Sequence, residues 1–248
     1  MTIQDTFNAS SFIATIVDLV STNGITLEIG SDFQVFENAL LRQPDRHPIG
    51  PLFASKDNKL DESNGFWIIG KDTKAEIVHT QAMRIIELKK QTLASYLDAR
   101  FLEFIPYKID EEKSCYCSTP GARNISGMAC YHGELWLKDG AEGYRGGGMT
   151  TLLARLALII GLYRLSPDYI FGFMFSMAAC KGLAAREGYM HTDPACIHWC
   201  LPGQDKMNET WMVWMNREDI RHLMNNSPVG LYNQFESKKI SFQKQKAA

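Results

Sequence analysis

The chain has 248 residues, of which 45% are hydrophobic and 22% are charged, and 26 basic against 28 acidic side chains leave a formal net charge of −2. This composition is typical of a globular protein and excludes the collagen-like, disordered and strongly basic nucleic-acid-binding classes. A chain of this length can bury a core that folds without a disulfide framework or a structural metal. We therefore expect its six cysteines to be reduced thiols.

The apolar runs of the sequence lack the design of a signal peptide or of a membrane span. The first run, residues 12–20, is broken by Asp18 and follows Asp5 instead of a basic segment. The longest run, residues 152–165, contains two arginines and is shorter than the roughly 20 uncharged residues that a span requires. The sequence therefore predicts a cytoplasmic protein with neither a membrane nor a nucleic acid as its partner.

The first half of the chain predicts helix and strand in turn, with long polar connections between them. Apolar residues at helical spacing, strand-like alternation, and clusters of Pro, Gly, Asp and Asn mark the elements and their ends. In chain order we expect a helix over 12–20, a strand over 25–29, a long connection or flap over 43–64, an antiparallel hairpin over 66–86, an amphipathic helix over 90–103 and a surface segment over 107–128.

The second half alternates strands and helices more regularly. It predicts strands over 129–137 and 168–174, helices over 149–165 and 176–187, and a terminal hairpin of strands over 197–201 and 209–215. A strand, a helix and a second strand in succession are most simply parallel neighbours in one sheet. The predicted fold class is therefore α/β (α+β), with a mixed β-sheet flanked by helices.

A glycine-rich loop between the strand over 129–137 and the next helix is the most informative segment. Arg145 is followed by Gly146, Gly147 and Gly148 directly before the helix begins at Met149. Consecutive glycines let several backbone N–H groups point into one concavity at a helix N-terminus, where the helix dipole favours anions. The loop thus suits a phosphate group that Arg145 also binds, although a flexible turn is the alternative. Its spacing matches neither a Walker sequence nor a dinucleotide fingerprint.

This loop, together with the strand before it, resembles a known signature. Residues 134–137 (Glu-Leu-Trp-Leu), followed by residues 144–150 (Tyr-Arg-Gly-Gly-Gly-Met-Thr), are similar to the acetyl-CoA signature Q/R-x-x-G-x-G/A of the GNAT acyltransferase superfamily. Arg145 stands at the first position and Gly148 at the invariant glycine. Thr150 stands where Gly or Ala is usual.

A second segment carries the same resemblance. Residues 182–189 are similar to the helix of the family that ends in Leu-Tyr-x-x-x-Gly-Phe, with Ala184 in the place of the tyrosine that often protonates the departing thiolate. The resemblance covers about residues 60–216 and is strongest over 129–189.

The resemblance implies a GNAT-like splayed sheet, with acetyl-CoA or another acyl-CoA as co-substrate and no metal. Leu135 and Leu137 would offer backbone groups to the pantetheine arm, and the pyrophosphate would lie on Arg145, Gly146, Gly147, Gly148, Met149 and Thr150. The implied organisation is an N-terminal extension and flap over 1–60 packed on the core, a GNAT-like acyl-CoA-binding domain over 61–230 and a flexible basic tail over 231–248.

Three side chains are candidates for the chemistry. His132 and Glu134 share one face of their strand by period-two geometry, unless a bulge intervenes, and either could accept the proton of an attacking amine. Glu134 has the better precedent in the family, whereas His132 has the pKa nearer neutrality. The alternative is that both are polar residues satisfied inside the sheet. Tyr189 is a candidate donor to the departing thiolate, or else a core residue.

The cysteine and histidine spacing predicts no metal site. Cys196, His198 and Cys200 share a strand face, but the outer two lie about 13 Å apart along an extended strand, too far to meet at one tetrahedral ion. Cys115 and Cys117 lack the two-residue separation of a zinc knuckle, and we expect a thiol pair in a surface loop.

The preferred function is an N-acyltransferase that moves an acetyl or other acyl group from coenzyme A to an amine of a small molecule by direct attack in a ternary complex. Two alternatives remain: a catalytically weak module that binds CoA or another ligand, and a long-chain acyl transferase that uses an acyl carrier protein. The sequence does not name the acceptor, and it leaves the oligomeric state open, with a homodimer among the alternatives.

Overall fold

The computed structural model describes residues 2–43, 46–139, 144 and 148–234, which form one eight-stranded sheet with helices on both faces. The strands are β1 (Thr26–Gly30), β2 (Gly65–Lys71), β3 (Ile77–Glu87), β4 (Cys115–Tyr116), β5 (Met128–Leu137), β6 (Tyr169–Phe175), β7 (His191–Trp199) and β8 (Asn208–Asn216). The helices are α1 (Ile3–Thr22), α2 (Phe33–Leu40), α3 (Leu93–Arg100), α4 (Pro120–Asn124), α5 (Met149–Leu165), α6 (Ser176–Cys180), α7 (Leu183–Glu187) and α8 (Arg217–Leu223).

The strand order across the sheet is β1-β2-β3-β5-β6-β8-β7-β4. Neighbouring strands are antiparallel except β5 and β6, which are parallel. This confirms the mixed sheet, and it confirms the parallel neighbours that the strand-helix-strand succession predicted. Within the described part of the chain, no helix combines the length and the apolar character needed to cross a membrane.

Helix α5 connects the two parallel strands and is the centre of the larger core. Thirteen of its residues are buried, and it contacts α1, α7 and α8 on one face of the sheet. A helix that is apolar on nearly every side is stable only when it is surrounded by protein. Each fully buried leucine of α5, such as Leu152 or Leu156, stabilises the fold by about 2 kcal/mol. The helix has the bounds that its apolar run predicted.

The first sixty residues contribute to this same sheet and core. β1 extends the sheet antiparallel to β2, and Phe12, Ile16 and Val20 of α1 pack in the core that contains α5. Helix α2, which the hydrophobic pattern did not predict, begins where the Asp32 carboxylate accepts hydrogen bonds from the backbone N–H groups of Gln34 and Val35. The domain boundaries at residues 60 and 230 remain predictions.

Some elements differ from the expected ones, because local signals do not show long-range pairing. β4 and α4 lie inside the polar segment 107–128, which showed neither. The helix expected over 176–187 is divided into α6 and α7 at Gly182, whose φ is +74°. β7 starts at His191 instead of residue 197, with an irregularity between Asp193 and Ile197 that accommodates a proline within the strand.

The parallel strands β5 and β6 pair over only three residues each. Their register runs from Ala129 opposite Tyr169 to Tyr131 opposite Phe171, and the strands then continue separately. Gly172 lies where they part, and a Cβ atom built there would be 2.9 Å from the His132 carbonyl oxygen. Only glycine lets the two backbones approach so closely at this point. The sheet is therefore splayed, as the predicted fold class required.

β5 contains a bulge just after the residues that pair with β6. Across the pairing with β3, Thr80 is opposite Trp136 while Ala82 is opposite Gly133, so β5 has one extra residue. Glu134, within this stretch, has a φ of +59°, which is uncommon for any residue except glycine. A bulge of this kind bends its strand and changes the direction of the side chains that follow.

Gly172→Ala should reduce the free energy of unfolding by about 1–3 kcal/mol, because its methyl group would meet the backbone oxygen of His132. Urea denaturation measures this change. Gly230→Ala is the control, since the nearest atom to a Cβ there is 3.6 Å away. Equal stability of the two variants would contradict the close approach of β5 and β6.

Candidate active site

A cavity of about 770 Å³ lies where β5 and β6 part. Residues from both strands, from the first turn of α5 and from α7 line it. Residues of the connection before β2 and of the segment that follows α3 line it as well. On the two parallel strands the lining residues are Tyr131, His132, Gly133, Glu134, Leu135, Trp136, Leu137, Gly172, Phe173, Met174 and Phe175. The separation of the strands thus opens the sheet into a chamber that reaches the N-terminus of α5.

The N-terminus of α5 faces this cavity through Gly148, Thr150 and Thr151. Gly148 has a φ of +80°, and no side chain caps the helix in the described structure. The first backbone N–H groups of a helix have no partner within it and carry a partial positive charge, so they suit an anion. Met149, by contrast, is buried in the core, and only its backbone could serve a ligand.

The remaining predicted cofactor residues fall into two groups. Leu135 and Leu137 line the cavity on the part of β5 beyond Tyr131, where the pairing with β6 has ended. Arg145, Gly146 and Gly147 lie outside the described residues.

His132 is held by two hydrogen bonds in the cavity wall. Its Nε2 atom is 3.0 Å from Oε1 of Gln81, and its Nδ1 atom is 2.8 Å from the Tyr189 hydroxyl. The Gln81 amide nitrogen donates to the Leu153 carbonyl in α5, which leaves its oxygen as the acceptor for His132. Nε2 of His132 therefore carries the proton, and Nδ1 accepts the proton of Tyr189.

The His132 and Tyr189 pair is uncharged at neutral pH. Burial lowers the pKa of His132 to about 4. Burial, reinforced by the nearby Glu187, raises the pKa of Tyr189 well above its ordinary value. With its proton directed at His132, the Tyr189 oxygen has lone pairs to offer to another group. If Gly172 carried a Cβ atom, that atom would be 3.3 Å from the Tyr189 oxygen. The oxygen therefore lies at the point where the two strands part.

Glu134 occupies a different environment from His132. Its carboxylate forms a buried ion pair with the Arg46 guanidinium and accepts a 2.7 Å hydrogen bond from the backbone N–H of Gly50. Arg46 also donates to Thr80 Oγ1 and to the Glu134 carbonyl. Both oxygens of the carboxylate are thus engaged, and the contacts fasten residues 46–50 to β5.

The bulge separates the two predicted base candidates. His132 points toward α5 through Gln81, whereas Glu134 points toward the segment that contains Gly50 and, three residues on, Phe53, which stacks on Tyr131. Regular alternation would have put His132 and Glu134 on one face, and the extra residue in β5 turns Glu134 to the other.

Glu187 is a buried acid in the cavity wall that the sequence analysis did not single out. It is 3% exposed, and burial raises the pKa of its carboxyl to about 8, against a smaller opposing effect of Arg186. No group in the described residues hydrogen-bonds this carboxyl. No local signal distinguished it, because an acidic residue at the end of a short helix is usually exposed.

Aromatic side chains form another part of the cavity wall. The lining rings are Phe104, Tyr107, Tyr131, Phe173, Phe175 and Trp199. Tyr107 stacks on Trp199 with 5.5 Å between the ring centroids, and Phe104 contacts Tyr131 edge-on at 4.9 Å. Glu103 also lines this part, and its carboxylate accepts hydrogen bonds from Arg100 and Tyr96. Trp136 of β5 also lines the cavity.

The structure does not assemble Cys196, His198 and Cys200 into a cluster. Both cysteines are fully buried, and the candidate ligand group within the described residues is instead Cys115, Cys117 and His198.

No protein-family model matches the sequence, and no curated protein matches it. Three solved structures to which this chain is similar are described as N-acetyltransferases. The spermidine/spermine N-acetyltransferase SpeG from Vibrio cholerae has a TM-score of 0.43 at 9% identity, covering 81% of this chain and 97% of its own. A chimera of that enzyme and hSSAT has a TM-score of 0.44 at 9% identity, with 80% and 99% covered. A protein assigned as a phosphinothricin N-acetyltransferase has a TM-score of 0.38 at 12% identity, with 77% and 98% covered.

Glu134→Gln should lower the free energy of unfolding by about 3 kcal/mol or more, because it leaves the buried Arg46 cation without a counter-charge. Urea denaturation at neutral pH measures this loss. The control is Glu28→Gln, which breaks an exposed ion pair with Lys71 and should cost less than about 1 kcal/mol. If both variants lose the same small amount, Arg46 and Glu134 are not a buried pair.

Proposed function

We propose that the protein is an N-acyltransferase that transfers an acetyl or other acyl group from coenzyme A to an amine of a small molecule by direct attack in a ternary complex. The observation that carries the proposal is the cavity between β5 and β6, which reaches the N-terminus of α5. A thioester on a long, amide-containing arm with a diphosphate at its far end matches a chamber that joins an opened strand to a helix N-terminus.

The donor-binding half of the proposal uses backbone groups. A pantetheine arm contains amides that could bond to β5 near Leu135 and Leu137 as an added strand would. The diphosphate would lie at the first turn of α5, beside Gly148, where the positive φ and the absent Cβ let an anion approach the N–H groups. Arg145 supplies the cation that completes this site in the proposal.

The acceptor amine requires a group that takes its proton as it attacks. We assign this role to the Tyr189 oxygen, whose own proton is already directed at Nδ1 of His132. The amine nitrogen bonds to the thioester carbonyl carbon, a proton passes from nitrogen to the Tyr189 oxygen, and the tyrosine proton passes to His132. The fixed hydrogen bond from His132 to Gln81 holds the imidazole in the tautomer that this relay needs.

The departing sulfur requires a proton donor, and Glu187 is our candidate. With a pKa of about 8, its carboxyl is protonated at neutral pH and is close in acidity to an ordinary thiol. It lies one helical turn after Ala184, the position at which the resembled family carries a tyrosine. When the carbon–sulfur bond breaks, the carboxyl proton passes to the thiolate, and the relay then returns a proton to Glu187 through solvent.

Glu134 has an anchoring role in this proposal. Its ion pair with Arg46 and its bond to Gly50 engage both oxygens, so a proton transfer to Glu134 would require those contacts to break. We therefore assign it to holding residues 46–50 over the cavity.

Calorimetric titration with acetyl-CoA and longer acyl-CoAs tests the binding half. We expect saturable binding, and Arg145→Glu should weaken it at least tenfold because it replaces a phosphate-binding cation with an anion. Arg164→Glu is the matched control, since Arg164 is an exposed residue at the opposite end of the same helix. Absence of binding to any acyl-CoA would overturn the proposal. Binding without amine-dependent release of free CoA, over a panel of amines, would identify a binding module instead.

Glu187→Gln should lower kcat by about 10²-fold or more, because it removes a general acid. In the unchanged protein kcat should fall as pH rises through about 8, where Glu187 loses its proton, and the variant should lack that decline. The rate of free CoA release against pH measures both effects. Glu103→Gln is the control, since it changes another carboxyl of the same cavity that the proposal does not use.

A second measurement on the same variant does not depend on activity. The pKa of Glu187 is raised from 4.5 to about 8 in the folded protein, so its protonated form stabilises the fold fully below pH 4.5, and this stability is lost as pH rises through about 8. Glu187→Gln should therefore lose less stability than the unchanged protein between about pH 5 and about pH 8. Identical pH dependence in the two proteins would show that Glu187 is not a buried neutral acid.

A further inference from the structure

Two neighbouring strands at the far edge of the sheet bring thiols and an imidazole together. Cys115 and Cys117 stand on either side of Tyr116 at β4, which pairs antiparallel with β7 so that Cys115 is opposite His198. The backbone N–H of Cys117 donates a 2.7 Å hydrogen bond to the Cys196 carbonyl, which continues this alignment. None of these three side chains lines the cavity between β5 and β6.

The ligand atoms of Cys115, Cys117 and His198 all lie within 4.8 Å of one another. The Cys117 sulfur is 3.7 Å from Nδ1 of His198. In a tetrahedral zinc site with bonds of about 2.3 Å to sulfur, two sulfur ligands are about 3.8 Å apart. Small rotations of exposed or half-buried side chains therefore suffice to bind an ion, and the backbone can stay in place.

The other nitrogen of His198 has a carboxylate beside it. Nε2 of His198 is 3.6 Å from Oε2 of Glu209, and Oε1 of Glu209 accepts a 2.7 Å hydrogen bond from the Trp211 indole. Histidines that bind metals commonly direct their second nitrogen at a carboxylate, which orients the ring and selects its tautomer. Nδ1 of His198 is thus left facing the thiols, in the orientation that a metal ligand requires.

We propose that Cys115, Cys117 and His198 bind a zinc ion that joins β4 to β7. Two thiolates and one imidazole form a donor set that zinc accepts readily and that magnesium and calcium do not. The fourth coordination position would be open to solvent, since Cys115 is exposed.

The location gives the ion a structural role. β4 has only two residues, and such a short strand contributes little stability by itself. It belongs to the connection between α3 and β5, in which Tyr107 stacks on Trp199 and the Asp110 N–H donates to the Cys200 carbonyl. A zinc ion at the β4 end would hold this connection, which supplies part of the cavity wall, against β7.

Metal titration of the full chain tests the proposal. Protein freed of metal by a chelator, in a buffer with a non-thiol reductant, is titrated with Zn²⁺ against a chromophoric chelator and separately with Co²⁺. We expect one ion per chain and a thiolate-to-cobalt charge-transfer absorption. Cys115→Ser, Cys117→Ser and His198→Ala should each weaken binding at least tenfold, and Glu209→Gln by about tenfold through the orientation of the imidazole.

Cys180→Ser is the matched control, because Cys180 is an exposed thiol on α6, outside the cluster. It should bind zinc as the unchanged protein does. Cys115→Ser changes an exposed side chain, so its circular dichroism should remain that of the unchanged protein, and zinc should raise the Tm of the unchanged protein without raising that of this variant. No charge-transfer absorption, or a Cys115–Cys117 disulfide that persists under the reductant in mass spectrometry, would overturn the proposal.

Discussion

The early end of the pairing between two parallel strands is the constraint on which the rest of this structure depends. β5 and β6 share backbone pairing only as far as Tyr131 and Phe171, and Gly172 allows the close approach just before they part. The cavity exists because the sheet opens there, and the helix that connects the two strands presents its N-terminus at the same opening. The order of these elements along the chain therefore puts the positive N-terminal end of α5 at the cavity. The lining side chains of β5, β6 and α7 surround the same cavity.

The buried polar groups of the cavity wall are of two kinds, a charged ion pair and a set of uncharged groups. Glu134 forms an ion pair with Arg46, and this pair holds residues 46–50 against β5. His132, Tyr189 and Glu187 are instead uncharged at neutral pH, since burial disfavours their charged forms and no ion pair compensates. A paired charge stabilises a conformation, whereas neutral groups with perturbed pKa values are able to exchange protons. This difference underlies our division of anchoring and chemical roles.

The cluster at the edge of the sheet shows what strand pairing adds to a spacing argument. Along β7 alone, Cys196, His198 and Cys200 cannot meet, and a separation of one residue is unlike a zinc knuckle for Cys115 and Cys117. The antiparallel register of β4 and β7 combines the histidine of β7 with the thiol of Cys115 in β4 and that of Cys117, which directly follows β4. The expectation that the chain binds no metal treated each segment separately, and our zinc proposal replaces it.

Local sequence determined the elements whose signals are periodic and long: α5 with its bounds, the hairpin of β2 and β3, the parallel β5 and β6, and the terminal hairpin. The resemblance to a known family pointed to Leu135, Leu137, Tyr189 and the start of α5, and period-two alternation pointed to His132; the structure lines one cavity with all of these. Only the tertiary structure decided the bulge at Glu134, its ion pair with Arg46, the burial of Glu187 and the pairing of β4 with β7. Each of these depends on which distant backbone or side chain lies opposite, and a residue carries no local record of a partner that is 88 positions away, as Arg46 is from Glu134.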